Sequence, residues 1–334
     1  MTERIAVIGA GSWGTAVAAL AAQNRPTVLW ARRKELADEI HTAHTNQTYL
    51  AERALPDQLE STASLEEALD GADLVVMGVP SHGFRAVLRD LAPFMREGVP
   101  VLSLTKGVEQ DTLKRMTEVI GDELPGHPAG VLTGPNLAKE VLDGFPAATV
   151  VALADEKICT DLRPLFATPS FRVYTNYDVV GCEVAGALKN VMAIAAGIAD
   201  GLGFGDNTKA TLMTRGLNEL TRLGIALGGQ PLTFSGLAGM GDLVATCMSR
   251  QSRNRHVGEQ LGKGRTIDEI ISEMNMVAEG VKTSRAVVGL ARSVNVDMPI
   301  AEEITAVIDG KQTVAEALQR LMERDAGHEL EGIA

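Results

Sequence analysis

Short apolar runs alternate with helix-forming segments through the first half of the chain. Residues 5–8, 27–30, 72–79, 99–104 and 130–132 have the length and apolar character of buried strands. Strands that alternate with helices pair in parallel, because each helix carries the chain back across the sheet. The pattern therefore predicts an α/β fold with a doubly wound sheet of the Rossmann type.

The strand pattern ends near the middle of the chain. Residues 147–153 and 171–174 are predicted to add edge strands, and long helical segments begin near Asp178. We therefore expect two domains, an α/β domain over residues 1–178 and an all-α domain over residues 179–334.

The first helix of the second half contains an unusual lysine. Residues 179–199 are almost all small or apolar and include no proline, which predicts a helix that is buried on most sides. The neighbours of Lys189 at i±3 and i±4 are Ala185, Gly186, Met192 and Ala193. None can pair with an ammonium group, so the partner of Lys189 must come from elsewhere, and the small neighbours leave room for a ligand. The alternative is that Lys189 extends its ammonium group to the surface.

Composition limits the partners of the protein. The 334 residues are enough for two domains with separate cores, and they carry a formal net charge of −12 at pH 7. Such a charge repels polyanions, so a nucleic-acid or anionic-membrane surface is not expected. An anionic small molecule would need a local cluster of positive side chains.

Cysteine usage and hydropathy indicate a soluble cytoplasmic protein. Cys159, Cys182 and Cys247 are odd in number and widely spaced, so no disulfide framework is indicated and a reducing compartment fits. The N-terminus lacks the pattern of a secretory signal. The most apolar segment, residues 191–199, is interpreted as too short to span a bilayer.

No metal site is expected. Residues 41–63 are polar and are predicted to be helical or irregular. His41 and His44 are spaced to share a helix face there, but no third ligand is close, so we interpret both as surface residues.

A glycine turn follows the first predicted strand. Gly9, Gly11 and Gly14 form a G-x-G-x-x-G pattern between the strand at residues 5–8 and a helix predicted over residues 15–22. In this context Gly9 allows the tight turn, Gly11 lets the backbone approach a pyrophosphate, and Gly14 permits close helix–sheet packing. We therefore predict that a dinucleotide binds at the helix N-terminus. The alternative is a plain tight turn.

Two arginines favour a phosphorylated dinucleotide. The strand at residues 27–30 is followed by Arg32 and Arg33, where a carboxylate would read an unphosphorylated ribose. A guanidinium pair suits a 2′-phosphate, which favours NADP(H). The alternative is that both arginines are solvated loop charges.

Candidate ligand-binding residues also follow later strands. Lys106 comes after the strand at residues 99–104, and residues 133–138 form a second glycine turn that opens a helix. Because ligands bind beyond the carboxyl ends of parallel strands, both are expected to line one crevice with the end of the strand at residues 72–79.

The second half supplies both signs of charge. Asp242 follows a flexible apolar loop, and residues 252–255, Ser-Arg-Asn-Arg, give the local positive cluster that an acidic protein needs for an anionic substrate. In the alternative interpretation Asp242 caps a helix and the arginines are exposed helix charges.

These motifs together resemble one enzyme family. They lie at residues 9–14, 105–107, 133–138, 186–191, 203–207, 236–243, 252–255 and 277–280. The chain resembles the bacterial form of the NAD(P)-dependent glycerol-3-phosphate dehydrogenases, and the resemblance spans nearly the whole chain. Residues 181–215 are its most specific part.

The resemblance implies an activity and a role for each matching residue. The reaction is reduction of dihydroxyacetone phosphate to sn-glycerol 3-phosphate with NAD(P)H for phospholipid synthesis, by a homodimer. Of the two cofactors, Arg32 and Arg33 favour NADPH over NADH. Lys189 would transfer the proton, and Lys106 would contact both substrate and cofactor. The implied substrate-binding residues are Lys106, Gly134, Asn136, Lys189, Asn190, Asp242, Ser252, Arg253 and Asn254. The implied cofactor-binding residues are Gly9, Gly11, Ser12, Trp13, Gly14, Arg32, Arg33, Lys106, Ala138, Arg253, Val277 and Glu279. Asn136 and Thr133 depart from the family pattern, which commonly has serine or threonine at the first position and serine at the second.

Two other functions share the same cofactor domain. A dehydrogenase of the same two-domain plan could act on a β-hydroxyacid, which requires a carboxylate pocket, and an inactive protein could simply sense NADP(H). Lys189, Asp242 and Arg253 discriminate between these, because a sensor has no need of all three.

Overall fold

The computed structural model describes residues 3–274, 278–329 and 332–333. The chain divides into two compact units. One is formed by Met1–Thr105 with Arg115–Val179, and the other by Lys106–Lys114 with Val180–Ala334. The division therefore lies one residue beyond position 178, and the second unit also takes a short segment from the first half of the sequence.

The first unit is built on one eight-stranded sheet. Its strands are β1 (Ile5–Ile8), β2 (Thr27–Trp30), β3 (Leu59–Thr62), β4 (Leu74–Met77), β5 (Val101–Ser103), β6 (Ala129–Thr133), β7 (Ala147–Leu153) and β8 (Phe171–Asn176). The strand order is β3-β2-β1-β4-β5-β6-β7-β8, and β6 with β7 is the antiparallel pair among otherwise parallel neighbours. Crossovers on both sides of β1 make the sheet doubly wound, as predicted.

Helices cover both faces of this sheet. They are α1 (Ser12–Ala22), α2 (Lys34–Ala43), α3 (Gln47–Leu50), α4 (Leu65–Leu69), α5 (Ser81–Leu91), α6 (Met116–Glu123), α7 (Ala138–Leu142) and α8 (Glu156–Leu162). Along β1, Ile5 and Val7 pack into one core while Ala6 and Ile8 pack into another. Burial on both faces explains why the inner strands are continuously apolar.

One strand differs from the sequence prediction. Residues 41–63 were predicted to be helical or irregular, but they include β3, which pairs with β2 alone at the edge of the sheet. The sequence of β3 is Leu-Glu-Ser-Thr, and only Leu59 is buried. An edge strand that is mostly polar lacks the apolar run on which the prediction depended.

The second unit is built mainly from helices joined by loops, and the segment Lys106–Lys114 that it includes is not helical. Its helices are α9 (Val179–Gly201), α10 (Asp206–Ala226), α11 (Pro231–Phe234), α12 (Asp242–Met248), α13 (Arg253–Gly262), α14 (Ile267–Ser272), α15 (Glu279–Ser293), α16 (Pro299–Ile308) and α17 (Val314–Glu323). The residues of α9 from Gly181 to Ala199 are nearly all buried, and most of them belong to the apolar core of this unit.

The length of α9 corrects one step of the sequence analysis. The apolar segment was interpreted as too short for a bilayer, yet the helix has 23 residues and by length and composition it could cross one. Within its most apolar 18-residue window, 83% of the residues are buried inside the protein. This burial is typical of the core helix of a soluble protein.

Glycines bring α9 and α13 into unusually close contact. A Cβ atom at Gly197 would lie 2.0 Å from the carbonyl oxygen of Arg255, and one at Gly258 would lie 1.9 Å from the carbonyl oxygen of Ile194. Gly201 and Gly262 are similarly close to the facing backbone. Since a side chain at any of these positions would force the helices apart, the glycines fix the start of α13 relative to the lysine-bearing part of α9.

Candidate active site

A buried carboxylate joins the two candidate lysines of the second unit. Asp242 is 2% exposed, and its Oδ1 lies 2.9 Å from the Nζ atom of Lys189. Its Oδ2 lies 2.6 Å from the Nζ atom of Lys106. Two ammonium groups and one carboxylate leave this cluster with one net positive charge, which suits an anionic or developing negative group.

This geometry excludes two of the alternative interpretations. Lys189 is only 4% exposed, so its ammonium group does not reach the surface. Asp242 is the first residue of α12 and its carboxylate is held by the lysines, while the N-cap position belongs to Gly241. The missing partner of Lys189 is therefore an aspartate from a different helix.

Sequence reasoning missed one member of the cluster. The hydroxyl of Thr246, which is buried, accepts a hydrogen bond from Lys189 Nζ at 2.5 Å and donates to the Asp242 carbonyl oxygen at 2.7 Å. Thr246 is four residues after Asp242 in the same helix, so the two side chains share a face. The four-residue spacing of Asp242 and Thr246 was the signal that the sequence offered. It points to Thr246 as part of the cluster only once Lys189 is known to pack against this helix face.

Burial also changes the acidity of the Lys106 side chain. Burial lowers the pKa of the Lys106 ammonium group from its usual value to about 8. The Asp242 carboxylate opposes this shift, whereas the like charge of Lys189 adds to it. Lys106 can therefore lose its charge close to neutral pH.

Two asparagines predicted to bind substrate are buried beside Lys106. Asn190 donates from Nδ2 to the carbonyl oxygen of Lys106 at 3.0 Å. Asn254 donates from Nδ2 to Oδ1 of Asn190 at 2.9 Å. The second unit thus brings Lys106, Lys189, Asn190, Asp242 and Asn254 into one bonded cluster.

The residues of the predicted positive cluster, 252–255, do not all have the same role. Ser252 is the N-cap of α13, and its hydroxyl accepts from the backbone N–H of Arg255 at 3.2 Å. The guanidinium group of Arg255 is paired with Asp200 at 2.6 Å, which makes it a structural residue. Arg253 begins α13, so its cation lies at the helix N-terminus, where both attract an anion.

Arg253 also interacts with a predicted cofactor residue. Arg253 is exposed to solvent, yet the protein around its guanidinium group lowers the pKa of that group, and the charge of Glu279 opposes that shift. Glu279 is the first residue of α15. Val277, also predicted to bind the cofactor, lies outside the described residues.

The glycine turn of the first unit has the shape that a dinucleotide needs. Gly9 has a φ of +117°, and a Cβ atom at Gly14 would lie 2.0 Å from the carbonyl oxygen of Gly9. A Cβ atom at Gly11 would meet nothing within 4 Å, so the backbone there is open to a ligand. Because Gly11 is the N-cap, α1 begins without a side-chain cap, which suits a phosphate at this helix end.

Ser12 and Trp13, two further predicted cofactor positions, lie between Gly11 and Gly14 of this turn. The hydroxyl of Ser12 donates to the Tyr49 carbonyl oxygen at 3.2 Å. Trp13 packs near Phe171, and its buried Nε1 atom has no hydrogen-bond partner among the described residues. Such an orphaned donor is consistent with a binding site that a ligand completes.

Arg32 and Arg33 follow β2 and are both exposed. Arg33 lies 3.4 Å from the Thr48 hydroxyl, and neither arginine forms an ion pair with a described residue. They are therefore placed at the carboxyl edge of the sheet with their charges available.

The turn after β6 holds the side-chain amide of Asn136 in one orientation. Thr149 donates its hydroxyl hydrogen to the Thr133 carbonyl oxygen at 2.8 Å, so it can only accept from Nδ2 of Asn136, at 2.9 Å. The amide of Asn136 is therefore oriented with Nδ2 toward Thr149 and Oδ1 away from it. This Oδ1 atom is buried and has no hydrogen-bond partner among the described residues. Gly134 has a φ of +142°, and Ala138 begins α7.

Comparison with known proteins agrees with this geometry. Residues 4–159 match the description NAD-dependent glycerol-3-phosphate dehydrogenase N-terminus, and residues 178–319 match the C-terminus of the same family. A protein of Sphingopyxis alaskensis named glycerol-3-phosphate dehydrogenase (NAD(P)+) 2 is 54% identical over 98% of this chain and 99% of its own length. A protein of Mycobacterium avium named glycerol-3-phosphate dehydrogenase (NAD(P)+) is 53% identical, with 98% and 97% covered.

A solved structure extends the likeness to three dimensions. The crystal structure of glycerol-3-phosphate dehydrogenase from Coxiella burnetii is similar with a TM-score of 0.92 and 36% identity, covering 97% of this chain and 99% of that one. With both family regions matched and relatives above 50% identity over nearly the full length, the chain belongs to the NAD-dependent glycerol-3-phosphate dehydrogenase family.

Proposed function

We propose that this protein reduces dihydroxyacetone phosphate to sn-glycerol 3-phosphate with NAD(P)H, and that Lys189 donates the proton. Family membership supports the reaction and its usual role in supplying glycerol 3-phosphate for phospholipid synthesis. The observation that carries the assignment of Lys189 is its burial against Asp242, with Lys106 on the other carboxylate oxygen.

The cluster provides what carbonyl reduction requires. The reduced nicotinamide supplies the hydride, and the carbonyl oxygen of the substrate then gains negative charge. Lys189 can stabilise that charge and transfer a proton from Nζ, which leaves a neutral amine and an alcohol. Lys106 keeps a positive charge beside Asp242 through this step, so the carboxylate is not left without a counterion.

The start of α13 is the best candidate for the substrate phosphate. Arg253 offers a planar pair of donors, and the positive end of the helix dipole adds to its attraction. In a chain of net charge −12, an anionic substrate requires a local positive cluster, and the start of α13 provides one. A phosphate clamp of this kind favours dihydroxyacetone phosphate as the substrate over a β-hydroxyacid, which carries a carboxylate instead of a phosphate.

The cofactor would be held mainly by residues of the first unit. Gly9, Gly11 and Gly14 provide the phosphate turn, and Arg32 with Arg33 would contact the 2′-phosphate of NADPH. The proposal therefore includes a preference for NADPH over NADH. Ser12, Trp13 and Ala138 are assigned to the cofactor, and Gly134 and Asn136 to the substrate.

We also propose a cytoplasmic homodimer with no membrane insertion. Three buried cysteines that form no disulfide are consistent with a reducing compartment. The burial of α9 inside the protein supports a soluble enzyme. The homodimer rests on the family resemblance.

Replacing Lys189 with methionine tests the proton donor. Methionine fills a similar volume without charge, so Lys189→Met should leave NADPH binding nearly intact while kcat for dihydroxyacetone phosphate falls by roughly 10²–10⁴, the usual loss for a general acid. The measurement is NADPH oxidation in purified protein, with binding measured separately by fluorescence. Lys263→Met is the control, because Lys263 is an exposed lysine paired with Glu259. A folded Lys189→Met protein with activity within a few-fold of wild type would refute the assignment.

The lowered pKa of Lys106 predicts the pH dependence of the reaction. If the ammonium form of Lys106 is needed, kcat/KM for dihydroxyacetone phosphate should fall as pH rises through about 8. Arginine keeps its charge at this pH, so Lys106→Arg, though slower, should move the alkaline limb upward by roughly one pH unit or more. The measurement is the pH–rate profile of both proteins. An identical alkaline limb in both would show that another group sets it.

Cofactor preference should depend on Arg32 and Arg33. Replacing both with alanine should weaken NADPH binding far more than NADH binding, by roughly 1.5–3 kcal/mol for each charged hydrogen bond lost. Titration of each cofactor gives the two dissociation constants, and Arg172→Ala, an exposed arginine of β8, serves as the control. Equal weakening of both cofactors would exclude a contact with the 2′-phosphate.

A further inference from the structure

We propose that the segment Lys106–Lys114 is an arm that positions Lys106 for the reaction, and that Leu113 anchors this arm on α15. The anchor is the packing of a leucine with strained backbone against Gly289 of that helix. The proposal rests on the proposed function, because it assigns Lys106 to dihydroxyacetone phosphate reduction. Leu113 and Gly289, which have no part in the sequence motifs, become positioning residues that act through Lys106.

The arm is held by the second unit at several points along its length. It follows β5 of the sheet in sequence, yet the whole segment Lys106–Lys114 belongs to the second unit. Val108 is 1% exposed and lies in the apolar core that includes α9 and α15. The side-chain amide of Gln110 donates to the carbonyl oxygen of Lys282 in α15 at 2.5 Å. The chain that follows Lys106 is therefore fixed independently of the ion pair of Lys106.

The end of the arm is a closed turn with a strained leucine. The backbone N–H of Glu109 donates to the Lys114 carbonyl oxygen at 2.9 Å, and the N–H of Leu113 donates to the Glu109 carbonyl oxygen at 3.0 Å. Leu113 has a φ of +59°, in the left-handed region that only glycine, asparagine and aspartate adopt routinely. A leucine in this conformation indicates that its side chain makes a contact that glycine could not make.

The contact of Leu113 is a notch in α15. Its half-buried side chain packs against the core of the second unit, and a Cβ atom at Gly289 would lie 3.4 Å from both Cδ1 and Cδ2 of Leu113. Gly289 is inside α15, where glycine lowers helix stability relative to alanine. The glycine therefore leaves space that the leucine fills, and a side chain larger than alanine at this position would push the arm away from α15.

The arm affects both the position and the charge of Lys106. The charged groups that act on its ammonium group are Asp242 of α12, 2.6 Å away, and Lys189 of α9. Burial lowers the pKa of Lys106 to about 8, so an arm detached from α15 would expose Lys106 and raise its pKa toward the usual value. A mobile ammonium group also stabilises a developing negative charge less well than a fixed one. Detachment should therefore slow the reaction and raise the pKa of Lys106 together.

Replacing Leu113 with asparagine tests the anchor. Asparagine adopts the left-handed conformation readily, so Leu113→Asn keeps the turn and removes the apolar contact. It should lower kcat/KM for dihydroxyacetone phosphate at pH 7 by about tenfold. The alkaline limb of the pH–rate profile should move upward by roughly one pH unit. In a Lys106→Met background the same change should cost less than about threefold, because the residue through which it acts is gone. A loss of equal size in both backgrounds would overturn the proposal.

Leu321→Asn is the matched control. Leu321 is a half-buried leucine of α17 that packs against the same core, so its replacement should lower thermal stability without moving the alkaline limb. If Leu113→Asn left the limb in place as this control does, Leu113 would have a structural role only. Gly289→Leu approaches the same contact from α15 and should reproduce both effects of Leu113→Asn. It takes the place of Leu113→Asn if that protein does not fold.

A second measurement does not depend on activity. Acetic anhydride modifies neutral lysine amines, and peptide mass spectrometry gives the rate at Lys106 as a function of pH. The midpoint of that curve reports the pKa of Lys106, and its alkaline plateau reports access to the amine. Leu113→Asn should raise the midpoint by roughly one pH unit and the plateau several-fold, and Leu321→Asn should change neither. An unchanged midpoint and plateau would contradict the arm. Failure of the wild-type protein to reduce dihydroxyacetone phosphate would count against the proposed function alone.

Discussion

The structure of the second unit depends on one buried carboxylate that is shared by two ammonium groups. Removing charged groups from water costs several kcal/mol for each ion, and the attraction between them offsets this only when the geometry is good. Asp242 meets that condition with contacts of 2.6 and 2.9 Å to lysines from two different parts of the chain. The fold must therefore bring α9, α12 and the segment Lys106–Lys114 together accurately, and the proposed proton transfer depends on the same accuracy.

Glycine and small side chains make this arrangement possible. Close contact of α9 with α13 through Gly197 and Gly258 sets the start of α13, and with it Arg253, relative to the part of α9 that carries Lys189. The proposed proton donor and phosphate clamp are thus on helices that cannot slide apart without losing backbone contact. A pair of rigid helices holds a substrate between two charges more accurately than flexible loops can.

Much of the fold follows from local patterns in the sequence. Most strands of the sheet and the glycine turn at Gly9–Gly14 were predictable because a parallel sheet buries continuous apolar runs and a phosphate turn requires glycine. The sequence also showed that Lys189 needs a partner from outside its helix, and the structure supplies Asp242. Three features depend on packing and could not be predicted from the sequence. They are the polar edge strand β3, the assignment of Lys106–Lys114 to the second unit, and the contact of the Thr246 hydroxyl with Lys189.

The most direct test of the account replaces Asp242 with asparagine, which keeps the shape but removes the negative charge. Folded Asp242→Asn protein should still bind NADPH but reduce dihydroxyacetone phosphate with a kcat/KM lower by roughly 10² or more, because both ammonium groups lose the carboxylate that holds them. Asp309→Asn is the control, since Asp309 is an aspartate whose side chain is 4% exposed and which also has two basic partners, Arg285 and Lys311. It should lose stability while retaining its kcat/KM. Activity of Asp242→Asn within a few-fold of wild type would contradict the central role of the shared carboxylate.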